Sequence, residues 1–268
     1  MILDKQVSEI MHSKIYTAEC NTPVYDIACL MDKKNVGSVL IVEKDKVKGI
    51  ITEADIVNQL YKGNHLTELK SCDIMTKKVI SVAPDTTLGK AIDLLFENKF
   101  RRLPVVKKGK IMGILTSTDI CYEINSPHAS KTVGEIMRTD VVTTTSDKTI
   151  YEALDHMLKK KSSTGKRGVG GIVIVSTEGV EGILTERDII RYVVAKKKDI
   201  QKTLVSDIMS TDMITIRPDI VICHAADLMS QYHFRHLPIL DYDEKLVGII
   251  TQTTIIGELK REYEENLI

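Results

Sequence analysis

The chain has 268 residues, 43% of them apolar and 28% charged, ordinary proportions for a globular protein with a sizeable core. Thirty-seven Lys+Arg balance thirty-seven Asp+Glu, which argues against a protein that coats nucleic acid or anionic membrane through excess positive charge. No stretch approaches 18 uninterrupted apolar residues and MILDKQVSEIM has no signal-peptide core, so a cytosolic protein without membrane insertion is expected. The five cysteines contain no CxxC and read as small buried residues of a reducing interior, not as a disulfide or zinc framework.

In chain order, the sequence repeats itself four times. Each repeat opens on a short lead ending in Met: VSEIM (7–11), SCDIM (71–75), VGEIM (133–137) and VSDIM (205–209). The stretch after it (IYT, VIS, VVT or MIT) reads as a strand. Thirteen residues after each Met begins an apolar stripe with i, i+3, i+4, i+7 spacing, which predicts an amphipathic helix. The stripes are Val24, Ile27, Ala28, Met31; Leu88, Ala91, Ile92, Leu95; Ile150, Ala153, Leu154, Met157; and Ile222, Ala225, Ala226, Met229. Asn21, Asp85, Asp147 and Asp219 are suited to cap these helices.

A β-branched run follows each helix (SVLIV, LPVV, GIVIV, LPIL), then a polar turn and a strand ending in GIIT or GILT at Thr52, Thr116, Thr185 and Thr251. A second helix begins there: EADIVNQL, STDICYEI, ERDIIRYV or QTTIIGEL. Each repeat is therefore β-α-β-β-α, about 60 residues, too small to bury its core alone. The boundaries expected are 7–62, 71–126, 133–196 and 205–262. Extra residues of the third repeat fall in the basic loop KKKSSTGKRGVGG (159–171), and INSPHASKT (124–132), with Pro127, reads as the linker between two pairs.

The D-I-M lead, the [RH]-x-L-P strand and the closing G-h-h-T-x-x-D resemble cystathionine-β-synthase-type (CBS) repeats, over nearly the whole chain. The resemblance implies an α/β (α+β) fold in which four repeats pair into two Bateman modules, packed as a disc within one chain or as a homodimer. It is similar to the group that includes the nucleotide-sensing γ subunit of AMP-activated protein kinase and its stand-alone prokaryotic relatives. That implies a regulatory sensor, not an enzyme, which binds AMP, ADP or ATP in clefts between paired repeats. S-adenosylmethionine is the rival ligand, and a ligand-free scaffold for a regulated kinase, enzyme or transporter is the rival function.

By the same resemblance, Asp55, Asp119 and Asp188 hold the ribose diol, with Thr52, Thr116 and Thr185 beside them. T-x-x-D before an apolar run is equally a capping box, and the two roles are compatible. Repeat four has Thr254 in place of the carboxylate, so at most three competent sites are expected. Candidates for phosphate are the basic strand starts Arg101, Arg102, Arg235 and His236, with Arg187 as a weaker one. Hydroxyls recur at Thr17, Ser81, Thr143 and Thr215. The basic loop KSSTGKRG lacks the P-loop spacing and reads as a flexible solvated loop; the sharper alternative is that Lys166 or Arg167 folds over a phosphate and separates ATP from AMP. His233, His236 and Cys223-His224 build no metal site, and with nine Tyr, three Phe and no Trp, nucleic-acid binding is disfavoured.

Overall fold

The helical stripes form helices where their periodicity places them. The computed structural model describes residues 2–44, 46–98, 100–123, 131–159, 168–194 and 196–265. Repeat one runs α1 (Val7–Ile10), β1 (Thr17–Glu19), α2 (Val24–Lys34), β2 (Ser38–Glu43), β3 (Lys46–Thr52) and α3 (Glu53–Tyr61). Repeat two runs α4 (Ser71–Ile74), α5 (Leu88–Glu97), β4 (Arg102–Lys107), β5 (Lys110–Thr116) and α6 (Ser117–Tyr122). Repeat three runs α7 (Val133–Ile136), β6 (Thr143–Thr144), α8 (Ile150–Lys159), β7 (Gly171–Ser176), β8 (Gly179–Thr185) and α9 (Glu186–Ile189), continued by a π-helical turn over Ile190–Val194. Repeat four has a 3₁₀ turn at Val205–Asp207, then α10 (Ile222–Gln231), β9 (His236–Leu240), β10 (Leu246–Thr251) and α11 (Gln252–Glu265). The proposed linker residues 124–130 and the loop cations Lys166 and Arg167 lie outside the described residues.

Every stripe residue is buried. Each repeat carries one antiparallel hairpin: β2–β3, β4–β5, β7–β8 and β9–β10. The strand after the lead pairs in parallel with the first hairpin strand in repeats one and three. In repeats two and four it shrinks to a single bridge, Val82 to Val105 and Ile216 to Ile239. Asn21, Asp85, Asp147 and Asp219 do not cap the following helices. They sit in a turn two residues further upstream, and the preceding residues are Pro23, Thr87, Thr149 and Val221. Only Thr149 caps with its side chain, accepting the Glu152 N–H at 3.2 Å.

The chain divides into two compact units, one of residues 15–79 and 142–213, the other of residues 1–14, 80–141 and 214–268. The first, here the odd unit, holds the bodies of repeats one and three around one apolar core. The second, the even unit, holds the bodies of repeats two and four around another.

The leads do not stay with their own repeats. Met11 and its lead pack in the even unit on repeat two, while Met75 and its lead pack in the odd unit on repeat one; repeats three and four exchange in the same way. The acid of each lead explains itself locally. Glu9, Asp73, Glu135 and Asp207 each accept the backbone N–H three residues before them, at 2.6, 2.8, 2.6 and 3.0 Å, and so nucleate a single turn. The residue after each Met then makes a reciprocal pair of backbone hydrogen bonds with the neighbour's G-h-h-T strand. The pairs are His12 with Ile114, Thr76 with Ile50, Arg138 with Ile249 and Ser210 with Ile183. The glycine of that strand gives the lead room: a Cβ on Gly113 would lie 2.5 Å from the His12 carbonyl oxygen, and one on Gly248 2.5 Å from the Met137 sulfur.

The exchange also corrects the reading of the cysteines. Cys72 of the second lead lies on repeat one beside Cys20, their Cα atoms 4.8 Å apart, and the two form a disulfide. No local motif announces it, because its halves come from different repeats. Cys29, Cys121 and Cys223 are free thiols, and burial pushes the Cys121 thiol far up.

Candidate functional site: four strand-to-helix corners

Each hairpin delivers its final Thr to a helix N-terminus, and in the first three repeats an Asp three residues later caps it. Thr52 donates its N–H and hydroxyl to Asp55 Oδ2 at 2.8 and 2.6 Å. Thr116 does so to Asp119 Oδ2 at 2.7 and 2.8 Å, and Thr185 to Asp188 Oδ2 at 2.9 and 2.6 Å. The capping role is therefore real, and it engages only one oxygen of each carboxylate. In repeat four, Thr251 and Thr254 share a neutral hydroxyl–hydroxyl bond at 3.0 Å.

The second oxygen distinguishes the corners. Among the described residues, Oδ1 of Asp55 and of Asp188 has no hydrogen-bond partner, and both residues are partly exposed. Asp119 is only 4% exposed, and its Oδ1 lies 2.6 Å from His12 Nε2, which arrives on the exchanged lead. Burial pushes the Asp119 carboxyl above its ordinary range, with Thr116 and His12 pulling it back. Burial likewise raises Asp188, against Thr185 and the Arg191 and Arg187 charges.

Hairpin register sets what faces each Thr across the strands: Ser38 opposite Thr52, Arg102 opposite Thr116, Gly171 opposite Thr185 and His236 opposite Thr251. Thus the register brings Arg102 and His236 to their corners. Arg101 and Arg235 immediately precede those positions, and their carbonyls accept the N–H of Ser117 and Gln252. Arg187 is turned away from its own corner. Its guanidinium donates to Glu53 at 3.0 Å and to the Asn35 side chain at 3.0 Å, beside a small recess that also includes Met31, Asp32 and Ile190. Thr17, Ser81 and Thr215 are exposed and Thr143 is half-buried. Sequence reasoning passed over His12, Thr76, Arg138 and Ser210. Their only signal is their fixed place one residue after Met.

Among the described residues no group of His, Cys, Asp or Glu could hold a metal ion, and no helix is long and apolar enough to cross a membrane. The family model for the CBS domain matches four times, over residues 7–62, 71–126, 133–195 and 205–261. Protein MJ1225 of Methanocaldococcus jannaschii is 34% identical over 209 residues, covering 71% of each chain. Its crystal structure, described as that of a proposed archaeal homolog of γ-AMPK, superposes with a TM-score of 0.84 over 95% of this chain and 100% of that one, at 20% identity. Protein MJ1404 of the same organism is 28% identical over 218 residues, which cover 74% of this chain and half of the other. Four matches in register with four leads, four stripes and four capped corners establish that the chain belongs to the CBS-domain family.

Proposed function

We propose that the chain is a non-catalytic regulatory sensor that binds an adenine nucleotide (AMP, ADP or ATP) through its ribose at the T-x-x-D corners. The observation that carries this is the open Oδ1 of Asp55 and Asp188. Each carboxylate is held in place by its Thr and keeps one oxygen for a vicinal diol, whose hydroxyls donate charge-assisted hydrogen bonds. The cap that fixes the Asp thus also orients it for ligand, so the site costs little reorganisation on binding. Arg101, Arg102, Arg235 and His236, which stand at the corners of repeats two and four, are the candidates for phosphate, with Ser81 and Thr143 as candidate auxiliary hydroxyls. The resemblance to MJ1225, whose crystal structure is described as that of a proposed archaeal homolog of γ-AMPK, supports the regulatory part of this reading.

Thermal unfolding with AMP, ADP, ATP and S-adenosylmethionine tests it. A ligand at a hundred times its Kd stabilises the fold by about 2.7 kcal/mol. The expected result is a rise with an adenine nucleotide that disappears in the Asp55→Ala, Asp188→Ala double variant. A rise with S-adenosylmethionine alone changes the ligand class, and no rise with any of the four rejects the sensor reading.

A further inference from the structure

The four corners share one backbone plan but receive different residues from the neighbouring lead. In the odd unit the residue after Met is small and neutral: Thr76 on the strand that leads to Asp55, Ser210 on the strand that leads to Asp188. In the even unit it is basic: His12 bound to Asp119, and Arg138, which pairs with Ile249 of repeat four and holds Asp140 bidentately at 2.9–3.2 Å. The carboxylates follow the same division. The two with a neutral residue above them keep an open oxygen; the one beneath His12 is closed, and the one that Arg138 would meet is replaced by Thr254.

We propose that the residue immediately after each lead methionine, supplied by the neighbouring repeat, is a specificity-determining position, and that His12 closes Asp119 to the diol that Asp55 and Asp188 accept. The inference rests on the diol reading of those two carboxylates. His12 fits the role physically. It reaches Asp119 Oδ1 at 2.6 Å while its own side chain is 67% exposed, so it closes the corner without being part of the core. A ligand hydroxyl arriving at Asp119 must displace that contact. Whatever bond the hydroxyl makes to Oδ1 is offset by the loss of the His12 bond to the same oxygen, whereas the open oxygens of Asp55 and Asp188 gain theirs without such a loss. Repeat two therefore discriminates against a ribose that repeats one and three admit, and discrimination here is a built-in competitor rather than a missing contact.

The test is titration calorimetry with AMP on the full chain, comparing wild type with His12→Thr, which copies Thr76. Wild type is expected to bind AMP at the Asp55 and Asp188 corners only, so Asp119→Ala leaves its stoichiometry unchanged. His12→Thr is expected to add one AMP per chain, lost again in the His12→Thr, Asp119→Ala double variant. Loss of a site from wild type on Asp119→Ala, or an unchanged stoichiometry in His12→Thr, overturns the proposal. A separate readout needs no ligand: the ¹⁵N shift of His12 Nε2 should change on Asp119→Asn and stay fixed on Asp55→Asn. If wild type binds none of AMP, ADP and ATP, the adenine-nucleotide reading fails by itself; an unmoved His12 resonance on Asp119→Asn then rejects the closure as well.

Discussion

The odd and even units are built from the same repeat yet distribute their charges differently. Where the second helices meet, the odd unit buries an ion pair, Arg187 with a Glu53 that is 2% exposed. The even unit has a neutral bond in the matching place, the Thr118 hydroxyl to Gln252 at 3.1 Å. The odd unit is cross-linked by Cys20–Cys72 and also holds the free thiol Cys29, whereas both cysteines described in the even unit, Cys121 and Cys223, are free. At the corners the contrast reverses, with neutral neighbours in the odd unit and basic ones in the even unit. A fold copied four times keeps its hydrogen-bonded frame and leaves charge placement free to diverge, because the frame is fixed by backbone and caps.

Removing the buried ion pair should separate the units most sharply. Arg187→Ala removes the guanidinium that donates to the buried Glu53 carboxylate and should cost about 3 kcal/mol, while Thr118→Val should cost only about 1 kcal/mol; urea denaturation of the two variants measures the gap. Cys72→Ser, which opens a loop of 52 residues, should cost about 2–4 kcal/mol. Reductant should reproduce that loss in wild type and add nothing to the variant. Gly113→Ala drives a methyl into the His12 carbonyl and should cost about 1–3 kcal/mol, seen as a lower Tm.

The smallest effect concerns pH. Burial raises the folded carboxyl of Asp188 above its unfolded value, so the folded state holds its proton more tightly and loses stability as pH rises through that range. Asp188→Asn should therefore stabilise the chain at neutral pH by about 0.5–2 kcal/mol. That gain should vanish below the ordinary carboxylate range, and the variant should lose one of its two nucleotide sites while keeping the Asp55 site. Melts at acid and neutral pH give the comparison, and an equal gain at both would break it.

The apolar stripes and the hairpins were legible because burial at a period of 3.6, followed by β-branched runs and polar turns, leaves little choice of element. The T-x-x-D corner was legible as a cap, and the carboxylate plays that role with one oxygen while keeping the other free at Asp55 and Asp188. What stayed hidden depends on the exchange of leads. His12 and Asp119 stand in different repeats, as do Cys20 and Cys72, and no local spacing connects them. Arg187 beside Asp188 looked like part of its corner, but a side chain on a helix's first turn can leave in another direction, and Glu53 draws it away.

The traded leads also bear on how such a chain can be cut and inherited. A segment excised at the boundaries of one repeat carries away the lead that serves its neighbour and loses the one it needs, so its corner arrives without the residue that governs it. Swapping repeats between relatives would transplant half of each lead-to-strand pairing. Position 12 is inherited with the first repeat, but its contact is made in the second.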